Sequence, residues 1–195
     1  MTIILTTIIG SHAHGLARPD SDIDAYTVYT AKPKSFFDIY PNQKPTTHRI
    51  YEGLDSTYIE LREFCQQCLK GNPNSLEILY ATPSAVMHPY GQILVNNREA
   101  FLSKRLKNSY KGMVSEYVYN YHKTGKKKYH DGAIYYYLAF KDVWEDQFLV
   151  PYKPELPDIA IDSLISDMEG ETDLPDEPDF SSIQDIVYRI RQNEM

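Results

Sequence analysis

Cysteine is nearly absent from this chain: Cys65 and Cys68 are the only two in 195 residues. They stand three apart in a segment that reads as a helix, and no second pair or histidine partner has zinc-binding spacing. A zinc module is therefore not supported, and both thiols are expected to face a core. Long apolar runs are lacking too, none approaching the ~20 residues of a membrane span. The apolar start carries no basic segment of the kind that opens a cleavable leader, so a cytoplasmic enzyme is the expectation. Positive charge is in deficit, with 20 Lys and Arg against 27 Asp and Glu and a formal net charge of −7. That balance argues against a wholly basic nucleic-acid binder. Tyrosine is what the chain has in plenty, at 17 residues. A sizeable core is within reach without disulfides, and the length suits one domain plus an appendage.

The run Ile3-Ile4-Leu5-Thr6-Thr7-Ile8-Ile9 has the composition of a buried strand and stops at Gly10-Ser11. Glycine permits a sharp turn and the close approach of a ligand, and serine adds a hydroxyl donor. Roughly one helical turn follows, closed by Gly15 and Pro19, before a second apolar strand opens at Ile23. Asp22 and Asp24 are two residues apart there, so both carboxylates leave the same face. Like charges side by side destabilise a sheet unless a cation or solvent neutralises them. Backbone N–H groups around Gly10 and Ser11 can hold phosphates. Mg²⁺ (or Mn²⁺) takes hard oxygen ligands, for which one or two protein carboxylates plus phosphate oxygens suffice. Two such ions about 3.5–4 Å apart can hold the attacking and leaving oxygens of an in-line displacement. A third carboxylate on a neighbouring strand would complete such a site. Arg18 either contacts the triphosphate or acceptor or lies at the surface; His12 and His14 either touch phosphate or are exposed on the short helix.

Gly10-Ser11 followed at this distance by Asp22-Ile23-Asp24 resembles the signature of the DNA polymerase β-like nucleotidyltransferase superfamily. The fuller string Gly-Ser-His-Ala-His-Gly-Leu-Ala-Arg-Pro-Asp-Ser-Asp-Ile-Asp, residues 10–24, is similar to one branch, the predicted RNA repair pathway nucleotidyltransferases. Leu61-Arg62-Glu63-Phe64, Lys70-Gly71-Asn72-Pro73-Asn74 and Leu76-Glu77-Ile78-Leu79 form a second match. Lys127-Lys128-Tyr129-His130 is similar to a Lys…His segment on a later helix of that family. The resemblance covers residues 1 to 150 or so. It implies an α/β (α+β) polymerase β-like nucleotidyltransferase fold, a small mixed sheet with flanking helices plus a helical C-terminal extension. It also implies an NTP substrate, Mg²⁺, and Lys128 and His130 reaching the triphosphate. A family arginine expected about three residues after the histidine is replaced here by Ala133.

Thr46–Asp55 is expected as a strand with a turn at Glu52-Gly53. Thr57-Tyr58-Ile59-Glu60 has capping-box spacing and predicts a helix start at Thr57. Asp55 then stands at the strand end as the candidate third carboxylate, with Glu52 and Glu60 as alternatives. The apolar stripe Leu61, Phe64, Cys68 and Leu69 ends at Gly71 and Pro73, and Asn74–Tyr80 continues as a short helix. Lys104, Arg105, Lys107, Lys111, Lys123, Lys126, Lys127 and Lys128 follow, interleaved with tyrosines and with Glu116 as the one acid among them. Such a segment suits either a nucleic-acid strand, phosphates on lysine and bases on rings, or a solvated face whose tyrosines turn to a core. Gly132–Leu149 reads as the last core helix. Between Glu155 and Asp179 there are ten acids and no Lys or Arg, a block usually solvated and mobile. It is either a solubilising linker or an acidic tail that lies over the basic helices and competes with a nucleic-acid or protein substrate. Within it Ile159–Met168 suits a short amphipathic turn, and Ser181–Arg191 a final helix docking through Ile183, Ile186, Val187 and Ile190.

The expected division is a catalytic core at 1–80, a basic helical extension at 81–150, an acidic linker at 151–180 and a C-terminal helix at 181–195. The expected activity is transfer of a nucleoside monophosphate from an NTP to a hydroxyl by a two-metal mechanism. Asp22, Asp24 and Asp55 hold metal, Asp55 acts as or helps the general base, and Gly10 and Ser11 hold the β- and γ-phosphates. An RNA end is the acceptor that the resemblance and the basic helix suggest; a protein side chain or a small molecule suits the same site. From other classes, a catalytically silent nucleotide- or RNA-binding module and an interaction protein acting through its acidic tail remain as alternatives.

Overall fold

β-Branched and aromatic residues are concentrated in segments such as Thr2–Ile9, Ile23–Thr30 and Leu54–Glu60, which form strands. The computed structural model describes residues 2–13, 17, 19, 21–31, 46–51, 54–81, 86–145, 159–170 and 173–192. Strands β1 (Thr2–Ile9), β2 (Ile23–Thr30), β3 (Thr46–Tyr51), β4 (Leu54–Glu60) and β5 (Val86–Met87) form one sheet in the order β3-β4-β2-β1-β5. β2 runs antiparallel to β1 and parallel to β4, while β3 and β5 pair antiparallel with β4 and β1. The sheet is therefore mixed, as the sequence led us to expect. Leu5, Val28 and Ile59 lie level across its three central strands and are all buried.

Helix α1 (Gly10–Ala13) is the single turn after β1. Helices α2 (Leu61–Leu69), α3 (Pro73–Tyr80) and α4 (Pro89–Asn96) pack against the strands. A 3₁₀ turn at Arg98–Phe101 leads into a helical hairpin of α5 (Lys104–Thr124) and α6 (Lys127–Trp144), which turns at Gly125 with φ 64°. α7 (Ile161–Asp167) and α8 (Phe180–Gln192) follow. One hydrophobic cluster runs from Ile4 and Ile59 through Leu79, Val114 and Ala139 to Leu164 and Ile190. The sheet, the hairpin and the last two helices thus share a core. Cys65 and Cys68 are free thiols buried within it.

Two boundaries differ from the sequence reading. The helix start predicted at Thr57 is not there: Thr57, Tyr58 and Ile59 continue β4, where β-branched and aromatic side chains are at home. Glu60 is instead the N-cap of α2, its Oε2 accepting from the Arg62 N–H at 2.7 Å. α6 begins at Lys127 rather than Gly132, and residues 146–149 lie outside those described. The stop at Gly71 is as read, with φ 71° and its N–H donating to the Cys68 carbonyl at 2.8 Å. Pro73 opens α3 directly afterwards. Ile161, Leu164 and Met168 of the acidic block are buried, as are Ile183, Ile186 and Ile190 of α8.

Candidate active site

Parallel pairing of β2 with β4 sets Asp24 directly beside Asp55, and antiparallel pairing with β1 sets Ile9 on Asp24's other side. The two carboxylates therefore share one end of the central strands, next to the turn that follows Ile9. At that turn Gly10 has φ 68°, a conformation L side chains rarely adopt, and a Cβ on it would stand 2.7 Å from Asp24 Oδ2. His12 Nε2 donates to the Ser21 carbonyl at 3.1 Å, tying the turn to the approach of β2. Ser11 is half-buried in the same turn. Asp22 immediately precedes β2 and is exposed.

Crowding of like charge is legible at Asp24. Burial first, then the charges of Asp55 and Asp22, push its carboxyl above the ordinary range, and His12 draws it partly back. Asp55 Oδ1 is buried with no hydrogen-bond partner among the described residues. Also among the described residues, no three of His, Cys, Asp and Glu form a ready metal-ligating group. The pair of strand carboxylates is what the site offers.

The alternatives to Asp55 fall away or out of view. Glu60 lies level with Tyr29, at the other end of the paired strands from Asp24 and Asp55. Its oxygens are taken by the Arg62 N–H and by Arg191 at 2.8 Å. Glu52, Arg18 and His14 lie outside the described residues. Lys128 and His130 occupy the first turn of α6, which packs chiefly on α5, α7 and α3. Lys128 Nζ sits 5.0 Å from the Tyr129 ring centre, and His130 meets Tyr121 and the Asp131 carboxylate at 3.3 Å. Their recorded contacts do not bring them to Asp24 or Asp55. Ala133 is fully buried where α6 packs on the core, so an arginine has no room there.

Sequence reasoning passed over Glu77. It is buried on α3, accepting from Tyr135 at 2.7 Å and Tyr110 at 3.3 Å. Burial raises its carboxyl to about 7 against the opposing pull of those two hydroxyls. The signal was present: one acid inside the apolar run Leu76-Glu77-Ile78-Leu79, with tyrosine-rich helices to follow.

The basic face of α5 is covered by the acidic block. Lys104 Nζ meets Asp176 at 2.6 Å, Arg105 Nη2 lies 2.5 and 2.6 Å from the two oxygens of Glu177, and Lys111 Nζ meets Glu169 at 2.9 Å. Lys107 Nζ donates to the Gly170 carbonyl, and His122 pairs with Asp162 at 2.8 Å. Backbone bonds from Lys104 N–H to Pro175 and from Asp179 N–H to Ala100 fasten the same segment. Among the described residues no helix is long and apolar enough to cross a membrane.

With this geometry in view, comparison with known families gives one match: the family model RlaP, described as RNA repair pathway DNA polymerase beta family, covers residues 1–179. No curated protein matches the chain.

Proposed function

This chain belongs to the RNA repair pathway DNA polymerase beta family, and from that premise we propose that it moves a nucleoside monophosphate from an NTP to a hydroxyl, an RNA end, at the strand ends that carry Asp24 and Asp55. The observation that carries the reading is Asp55, whose Oδ1 is buried without a hydrogen-bond partner among the described residues while the strand register sets it beside Asp24. A polar oxygen in that state costs stability unless something from outside the chain binds it. Gly10 supplies the second sign, because having no Cβ it lets Asp24 Oδ2 pack directly against the turn whose N–H groups would face a phosphate. Hard oxygen donors around a small space suit a divalent cation carrying a triphosphate.

Asp24 and Asp55, joined by Asp22 from the exposed approach to β2, are the residues to hold Mg²⁺ or Mn²⁺. A bound divalent cation supplies charge neutralisation for the phosphate oxygens and the attacking oxygen. The N–H groups of Gly10 and Ser11 hold the β- and γ-phosphates. Asp55 accepts the proton of the attacking hydroxyl. The acceptor oxygen bonds to the α-phosphorus, the α–β bridging bond breaks, and pyrophosphate leaves with that electron pair. Lys128 and His130 stay as proposed triphosphate contacts on family likeness alone, and Arg18 as one read from its place between Gly10-Ser11 and Asp22.

The test incubates the full chain with each α-labelled NTP and Mg²⁺, with and without pooled small RNAs. Label is expected on RNA, falling about 10³-fold in Asp24→Asn and in Asp55→Asn. Label on protein or on a small product would keep the site and change the acceptor. Label that never leaves the triphosphate rejects the reading.

A further inference from the structure

We propose that the N-terminal half of α5 binds the phosphate backbone of single-stranded RNA, and that the acidic segment around Glu169, Asp176 and Glu177 occupies this surface in the resting chain. The inference deepens the reading above, since it supplies a place for the RNA acceptor and a control over its access. Lys104, Lys107, Asn108 and Lys111 share one face of α5 and line an open groove of about 550 Å³, with Met168 and Glu169 on its other side. Each cation on that face meets an oxygen of the acidic segment: Asp176 on Lys104, Glu177 on Arg105, the Gly170 carbonyl on Lys107 and Glu169 on Lys111. A row of anionic oxygens along a helix of lysines is what a phosphate backbone would present to the same residues.

The covering contacts are built to give way. The acidic partners are mostly in water, with 85% of the Asp176 side chain, 54% of Glu177 and 63% of Glu169 exposed. Exposed pairs of this kind contribute little to stability and are screened by salt. What anchors the segment is different: Ile161, Leu164 and Met168 in the core, and backbone bonds at Pro175 and Asp179. The anchors hold the acids near the groove whether or not the acids stay in it. A second basic surface lies at the α5–α6 turn, where His122 pairs with Asp162 and Lys127 with Asp131. Lys123 lies 5.9 Å from the Tyr119 ring centre and Lys128 stacks on Tyr129, and neither meets a carboxylate among the described residues. Tyr119 is 63% exposed and open to stack on a base. RNA held first at that turn would meet the acidic segment next.

The experiment uses the full chain carrying Glu169→Gln, Asp176→Asn and Glu177→Gln together, changes that remove charge at exposed positions and leave the apolar anchors intact. Binding of labelled oligouridine is followed by anisotropy across salt concentration, with a thermal melt to verify the fold. We expect affinity about tenfold tighter at low salt. The dependence of log K on log salt should steepen by about 2, as three cations are released to phosphate. Adding Lys104→Gln, Arg105→Gln and Lys111→Gln, the three cations so released, to the same chain should erase the gain. Unchanged affinity and slope in the triple variant, or a gain that survives loss of these three cations, overturns the proposal. Label transfer by the unaltered chain is scored separately. Its absence counts against the site reading, whereas absence of the affinity gain counts against the covering segment.

Discussion

Asp24 and Asp55 at one end of the central strands have the same chemistry as Glu169, Asp176 and Glu177 along α5, and opposite surroundings. The strand acids stand against each other, and burial and mutual repulsion raise the Asp24 carboxyl. Glu169, Asp176 and Glu177 each face a cation, and Lys111 beside Glu169 lowers that carboxyl. Acids that the fold neutralises are part of its own structure. Acids that the fold crowds together are, in the function proposed above, the ones that wait for a cation from outside. Glu77 is the intermediate case, buried like the first group and partnered like the second, but by neutral hydroxyls.

That intermediate case gives the largest expected effect. The folded chain keeps Glu77 protonated up to about pH 7, while an unfolded glutamic acid releases its proton near 4.5. The stability this group contributes is therefore complete below 4.5 and falls, by on the order of 3 kcal/mol, as pH rises to 7. Urea denaturation of Glu77→Gln across that window should lose this slope; an unchanged slope would remove Glu77 from the comparison. At the site itself, Gly10→Ala forces a Cβ against Asp24 Oδ2 in a left-handed conformation. Transfer of label should fall about 10²-fold, the scale of a small misplacement of reacting groups. An active Gly10→Ala would show that Asp24 does not need that space.

The smallest effect is the sharpest on the central contrast. Because the folded Asp24 carboxyl is raised, the folded chain binds more protons than the unfolded one just above pH 3.8, and stability declines as pH rises through that interval. At pH 7 the ionised group is therefore a burden. Asp24→Asn should therefore melt higher than the parent at pH 7, which a thermal melt of the two chains checks. Mg²⁺ should raise the melting point of the parent and leave the variant where it is. A variant that melts lower would mean that Asp24 is a structural residue.

The strands and their turn were legible because β-branched runs, a glycine and paired acids are local signals. Asp55 was reached by reasoning that was partly wrong. The capping-box spacing at Thr57 suggested a helix, whereas Glu60 caps α2 one turn later and the Thr-Tyr-Ile run stays extended. What sequence could not give was lateral register, since the pairing of Asp24 with Asp55 depends on which strands become neighbours. The acidic and basic blocks were each plain in composition. Their meeting, residue against residue over more than fifty positions of chain, was left between two readings until the fold placed Glu169 on Lys111.

The contact between Arg191 and Glu60 links the end of α8 to the end of the strand that carries Asp55. During synthesis β4 leaves the ribosome long before residue 191 exists, and until then Glu60, in a place destined to be 5% exposed, has among its described partners the Arg62 N–H but not the Arg191 cation. A carboxylate without its cation there opposes closure of the β4–α2 junction. A chain broken off before α8 thus carries a fault at the end of β4 opposite to Asp55.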